Sequence, residues 1–306
     1  MKLAAAAEQF QQELAGSRSG SAHTRTAMAR DVTRLVELAG DVALAEVKPA
    51  HIRSCIAAEH RRGLAVASLK RMLSSWRKFF EGFARQQLLP SNPARDVWAP
   101  RSGKPLPKVL TPDEVAALLD KAAAAGGELG VRDAAMFELA YSSALRVSEL
   151  VGIDVEDVDV RQQLVRVRHG KGGRQRLVPV GAAALAALGK WQPLRTLWCG
   201  RAAGGGALFI NRRGGRLSVR TAQYRIVALA AAAGLPAKVS PHILRHSCAS
   251  HLLQSSGDLR AVQEFLGHAD VSSTQVYTHL DFQALAAVYD RTHPRAGRRS
   301  AGDGDN

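Results

Sequence analysis

The sequence predicts a mainly α-helical protein of two domains, with a small β-hairpin or sheet in the second. Three observations predict it. The first hundred or so residues carry helical spacing of apolar side chains, a proline-dense stretch interrupts the chain near residue 100, and one short alternating segment breaks an otherwise helical second half. At 306 residues the chain is long enough for two domains, each with a sizeable core. A composition of 46% hydrophobic and 23% charged residues is that of a soluble globular protein.

Residues 1–98 read as helical throughout and form the first domain. The clearest segment is SLKRMLSSWRKFFEGFARQ, where Leu69, Leu73, Trp76, Phe80 and Phe83 recur at three- and four-residue steps and make one apolar stripe. Off that stripe lie Lys70, Arg71, Ser74, Arg77 and Lys78. By default such a cationic face is merely solvated, although it also suits a phosphate backbone. Residues 99–108 read as a linker, because Pro93, Pro100, Pro105 and Pro107 each lack an N–H and restrict the residue before them.

The second domain, residues 109–294, opens on Thr111-Pro112-Asp113-Glu114, which places an N-cap, a proline at the first helical position and acids in the first turn. Helices are expected near 112–124 and 131–143. In QLVRVRHGKGGRQRLVPV, Leu164, Val165 and Val167 lead into a glycine-rich turn, and Leu177, Val178 and Val180 lead out, which predicts a hairpin with Lys171 at its tip. Further helices are expected near 181–197, 218–233, 242–255, 258–266, 272–278 and 281–290. The tail, 295–306, is polar and glycine-rich and is expected to be disordered.

Lys and Arg number 42 against 27 Asp and Glu, a formal net charge of +15. A polyanionic partner follows as the first expectation, nucleic acid ahead of an anionic membrane surface. Cys55, Cys199 and Cys248 are scattered and odd in number, which argues against a disulfide framework or a cysteine-based zinc site. The N-terminal MKLAAAAEQF is too short for a secretory core, and the longest apolar run, Ile226 to Leu235, falls far below the roughly 18 residues of a membrane span. These readings predict a cytoplasmic protein with no membrane association.

His242 and His246 stand four residues apart, as two zinc ligands on a helix would. However, HILRH has Ile243 where H-E-x-x-H needs its glutamate, and it puts Arg245 beside the supposed metal, so the zinc reading is weak. Leu244, Cys248 and Leu252 mark the core side of this helix and leave His242 and Arg245 able to face one object together. A phosphate suits them, since a guanidinium fork binds two oxygens at once. The chain has no G-x-x-x-x-G-K-[ST] loop and no acidic cluster obviously suited to Mg²⁺, so any phosphoryl chemistry falls to side chains.

Four segments in this order, ALRVSEL (144–150), HGKGGRQR (169–176), HILRH (242–246) and LGHADVSSTQVYTHL (266–280), resemble the conserved boxes of the tyrosine recombinases, the phage-integrase family. With the helical first domain and the C-terminal segment, the likeness extends over nearly the whole chain, toward the branch that resolves chromosome dimers. The resemblance implies an all-helical, SAM-like core-binding domain and a tyrosine-recombinase catalytic domain that together clamp double-stranded DNA.

The resemblance also implies a catalytic set of Arg146, Lys171, His242, Arg245, His268 and Tyr277. Tyr277 would attack the scissile phosphate and leave a 3′-phosphotyrosyl link. Arg146, Arg245 and His268 would bind the non-bridging oxygens, Lys171 would protonate the leaving 5′ oxygen, and His242 would take the tyrosine proton. A free tyrosine titrates near pH ~10, so a base and nearby cations are needed to favour the phenolate. The phosphotyrosyl bond conserves the energy of the broken phosphodiester, so no metal, ATP or other cofactor is expected. A dif-like DNA site, a XerD-like recombinase in a heterotetramer and regulation by an FtsK-like translocase are likewise implied.

Each residue has a plainer reading. Tyr277 alone would be a packing or surface tyrosine, Lys171 a turn lysine, His268 a helix cap, and Arg146 half of a structural ion pair with Glu149. The joint order of all six reverses those defaults, while Tyr141, Tyr224, Tyr289 and His246 are read as structural. The pattern is departed from at Ala144, where glycine is usual, and at Ile243, Cys248 and Ser250. A Cβ at position 144 stands at the turn that aims Arg146. A phage or transposon integrase of the same family, and a DNA-binding protein with the fold but no activity, remain as alternatives.

Overall fold

The structure is a computed structural model that describes residues 1–17, 21–101, 109–168, 175–199, 205–235, 239–258, 262, 265 and 266, apart from the side chain of residue 23. Its contacts divide the chain into two compact units, Met1–Pro105 and Leu106–Asn306. The first is built on α1 (Leu3–Gly16), α2 (Ala22–Ala39), α3 (Pro49–Arg61) and α4 (Val66–Arg85). The predicted stripe of α4 is buried, and Met72 and Phe79 widen it. The Phe79 ring meets Phe10 edge-on at 5.4 Å and packs on Phe80 and Phe83 at 4.9 and 5.2 Å. Each such side chain contributes roughly 1.5–3 kcal/mol by leaving water.

Polar contacts fix how α2 meets α4. Asp31 is buried and accepts from the Arg71 guanidinium and from Ser75 Oγ at 2.7 Å, while the Trp76 indole N–H donates to the Asp31 carbonyl at 2.7 Å. Residues 86–98 depart from the expectation of helix throughout, for they form turns. Gln87 has φ +58°, and Pro90 and Pro93 cannot supply helix N–H groups. Leu89, Ala94 and Val97 instead pack into the core, and Arg77 holds the segment by donating to the carbonyls of Ala94 (3.1 Å) and Val97 (2.5 Å). Arg71 and Arg77 are therefore engaged inside the unit and are not simply part of a solvated cationic face.

In the second unit α5 (Pro112–Ala124) starts where its signal lies: Thr111 Oγ1 accepts from the Glu114 N–H at 3.2 Å, and Glu114 Oε2 accepts from the Thr111 N–H at 2.8 Å. Next comes α6 (Gly127–Ser142), buried almost from end to end, beginning four residues before its expected start. A short α7 (Val147–Gly152), not predicted, follows a tight turn. Strands β1 (Val158–Asp159), β2 (Leu164–Val167) and β3 (Arg176–Pro179) form an antiparallel sheet in the order β1-β2-β3, so the predicted hairpin gains a third strand. In the β2–β3 ladder Val165 faces Val178 and Val167 faces Arg176.

Helices α8 (Ala182–Cys199), α9 (Val219–Ala232) and α10 (Pro241–Ser256) complete the described elements. In α10 the predicted core face, Leu244, Cys248 and Leu252, is buried. Val262 and Phe265, in the stretch expected to be helical over 258–266, are helical and buried. Most of the linker (102–108), the hairpin tip with Lys171, the helices expected over 272–278 and 281–290, His268, Tyr277, Tyr289 and the tail lie outside the described residues. Among the described residues no helix is long and apolar enough to cross a membrane.

Candidate active site

The site is organised by the end of α6. Ser143 closes the helix, and Ala144 follows at φ +44°. The Leu145 N–H donates to the Ala140 carbonyl (3.1 Å) and the Ala144 N–H to that of Tyr141 (3.2 Å), the paired bonds of a Schellman turn. Such a turn wants glycine at the left-handed position, and here a fully buried alanine fills it. The turn delivers Arg146 to the N-cap of α7, and the Ala144 carbonyl accepts a hydrogen bond from Arg245 Nη1 of α10. One turn thus carries one arginine and holds another.

Glu149, 6% exposed, lies at the centre. Its Oε2 accepts from the Arg146 backbone N–H at 2.9 Å and its Oε1 from Arg146 Nη1 at 2.8 Å. Arg176 of β3 adds a two-pronged grip, Nη1 to Oε1 and Nη2 to Oε2, both at 2.9 Å. Arg245 Nη1 lies 3.9 Å from the same carboxylate. Burial pushes the Glu149 carboxyl up, but the hydrogen bonds from Arg176 and Arg146 and the Arg176 charge outweigh it and hold the group at about 2. Arg245 is buried, and that burial, followed by the charge of Arg146, brings its guanidinium down to about 10, still cationic at neutral pH.

His242 lies on the exposed side of α10, with its Nε2 3.1 Å from that of His246. Its partial desolvation, and then the charges of His246, Arg245 and Arg146, lower its affinity for a proton. The structure therefore brings Arg146, His242 and Arg245 into one electrostatic cluster. The plainer reading of Arg146 also holds in part, for its ion pair with Glu149 exists, yet its side chain stays 33% exposed and keeps N–H groups to offer. Arg245 likewise spends one N–H on Ala144 and one on the Leu266 carbonyl at 2.5 Å, out of five.

Sequence reasoning did not single out Arg176. Its signal would have been register: opposite Val167 in an antiparallel ladder, it shares a face with a core residue, which is a costly place for an unpaired cation. Of the residues read as structural, Tyr141 is buried and shares a 2.8 Å hydrogen bond with His251, whereas Tyr224 is exposed. Among the described residues no group of three or more His, Cys, Asp or Glu is placed to hold a metal ion.

Comparison with known proteins adds to this geometry. The phage integrase family model matches residues 108–284, and the model of the phage integrase N-terminal SAM-like domain matches residues 7–87. Tyrosine recombinase XerC of Xanthomonas campestris pv. campestris (strain B100) is 46% identical over 302 residues, covering 97% of this chain and 90% of that protein. Tyrosine recombinase XerC of Pseudomonas aeruginosa (strain PAO1) is 46% identical over 300 residues, with 97% of each chain covered. Among solved structures, a lambda integrase dimer bound to a COC′ core site superposes with TM-score 0.70 at 20% identity, covering 91% of this chain and 98% of that one. The Tn1549 transposon integrase in complex with circular intermediate DNA gives TM-score 0.73 at 17% identity, with 93% and 98% covered. At such identities these two likenesses concern the fold.

Proposed function

The chain belongs to the phage integrase family and is a tyrosine recombinase, a DNA strand-transferase, and from that premise we propose that it acts as a XerC-like recombinase on double-stranded DNA at a dif-type site. In this reading Tyr277 attacks the scissile phosphate, forms the 3′-phosphotyrosyl bond and displaces the 5′ oxygen, which Lys171 protonates. Arg146 and Arg245 bind the two non-bridging oxygens, with His268 donating beside them. His242 takes the tyrosine proton, and its lowered proton affinity keeps it neutral and able to accept one near pH 7. Neither a metal nor ATP enters the cycle.

The observation that carries the reading is the convergence of Arg146, Arg245 and His242 on one turn and one helix, with two guanidiniums supported from below by a buried carboxylate. That arrangement presets cations where a pentavalent phosphorane gathers charge, and it costs no reorganisation when the charge develops. Assembly with a XerD-like recombinase, two subunits of each, and control by an FtsK-like translocase complete the proposal; 46% identity across 97% of the chain to proteins called tyrosine recombinase XerC supports it.

The test is covalent trapping on a nicked dif-like duplex in EDTA without ATP, with and without a XerD-like partner, read on a denaturing gel. A shifted band with the wild type that is absent with Tyr277→Phe is expected. If the duplex is bound but no band forms even with the partner present, the protein is a DNA-binding member of the fold and the proposal fails.

A further inference from the structure

We infer that Arg176 is a positioning residue for strand transfer: it aims Arg146 at the scissile phosphate by locking the buried carboxylate of Glu149. The inference rests on the proposed role of Arg146 as a phosphate ligand. Glu149 binds both the backbone N–H and the guanidinium of Arg146, so the orientation of one carboxylate sets the direction of that side chain. A carboxylate held from its own helix alone can still swing about its last torsion, which is broad. Arg176 removes that freedom. Its two parallel bonds of 2.9 Å come from a different element and fix the carboxylate plane.

Two further observations separate this role from ordinary packing. Among the described residues Arg176 Nε is buried with no hydrogen-bond partner, a cost that a residue present only to fill space would not carry. In addition, three guanidiniums, those of Arg146, Arg176 and Arg245, surround Glu149. With Arg176 in place, a third cation from another element shares the carboxylate, and Arg146 and Arg245 keep more of their charge for the substrate. Arg176 also opens β3 opposite the end of β2, and residues 168–175, among them Lys171, run between those two positions. The same residue therefore anchors the strand that follows the proposed general acid and the carboxylate that aims the proposed phosphate ligand.

The experiment measures single-turnover adduct formation by the full-length wild type, Arg176→Gln and Arg176→Lys. Each is run on a nicked duplex with the natural scissile phosphate and on one with a methylphosphonate there, in which a methyl group replaces one of the two non-bridging oxygens, so that the phosphorane carries one negative charge fewer for the guanidiniums to offset. DNA affinity is measured in parallel. On the natural phosphate, Arg176→Gln is expected to slow adduct formation by about 10²-fold, the scale of a small misplacement of a catalytic group, with DNA affinity unchanged. On the methylphosphonate its rate should approach that of the wild type.

Arg176→Lys restores the charge but not the fork, so it too should be slower on the phosphate; should Arg176→Gln not fold, this variant carries the test. Wild-type rates with either variant, or equal slowing on both substrates, would overturn the inference and leave Arg176 a structural residue. Tyr277→Phe runs alongside: an adduct surviving in that variant would sink the proposed function itself, whatever Arg176 does.

Discussion

Replacing Ala144 with glycine tests the turn on which the site is built. Ala144 sits at φ +44° with no exposed surface. A Cβ in left-handed backbone costs roughly 1–2 kcal/mol, which glycine would recover. Against that recovery stand about 0.4–1 kcal/mol for the greater freedom of glycine in the unfolded chain and about 0.8 kcal/mol for the buried methyl lost. The terms nearly cancel, so Ala144→Gly should leave stability within about 1 kcal/mol of the wild type. Ala135, equally buried but inside α6, provides the control. There the same change loses the methyl and about 1 kcal/mol of helix propensity, with no strain to recover, for a cost of about 2 kcal/mol. Urea unfolding of both variants, compared at the transition that Ala135→Gly displaces and at unchanged slope, reads the difference. If Ala144→Gly proves as costly as Ala135→Gly, the left-handed alanine stores no strain and the argument is wrong.

Glu149 is held at about 2, below an ordinary carboxyl near ~4.3, so its pairing contributes about 3 kcal/mol that is fully present above that ordinary value and lost as pH falls toward 2. The stability gap between the wild type and Glu149→Gln should accordingly narrow by about 3 kcal/mol between about pH 6 and about pH 2, and a gap independent of pH would contradict the assigned pairing. Tyr141→Phe removes the buried hydrogen bond to His251 and leaves a ring nitrogen unpaired, at an expected cost of about 1–3 kcal/mol in the same urea assay. A neutral result would mean that His251 finds another partner.

How much could be read beforehand differs by the range of the interaction. The start of α5 was legible because Thr111 and Glu114 cap each other across three residues. The core faces of α4 and α10 were legible because helical spacing maps directly onto a buried side. The pairing of Arg146 with Glu149 could be suspected for the same reason, since the two are three residues apart. The turns at 86–98 were missed because the pull of Leu89, Ala94 and Val97 into the core is a tertiary term that overrides a helical reading.

By itself, then, the sequence determined the mainly helical class, the antiparallel hairpin, the ordered boxes that place the chain among the tyrosine recombinases, and the unusual alanine at 144. All of these are carried by residues near one another in the chain or by spacing along it. Only the tertiary structure decided that Arg71 is committed to Asp31, and Arg77 to the carbonyls of Ala94 and Val97. It alone decided that Arg245 hangs from the Ala144 carbonyl, and that Arg176 crosses from a strand to grip Glu149. The physical reason is that a buried charge is tolerable only where partners from other elements meet it, and no pattern along one element says which partners the fold will bring.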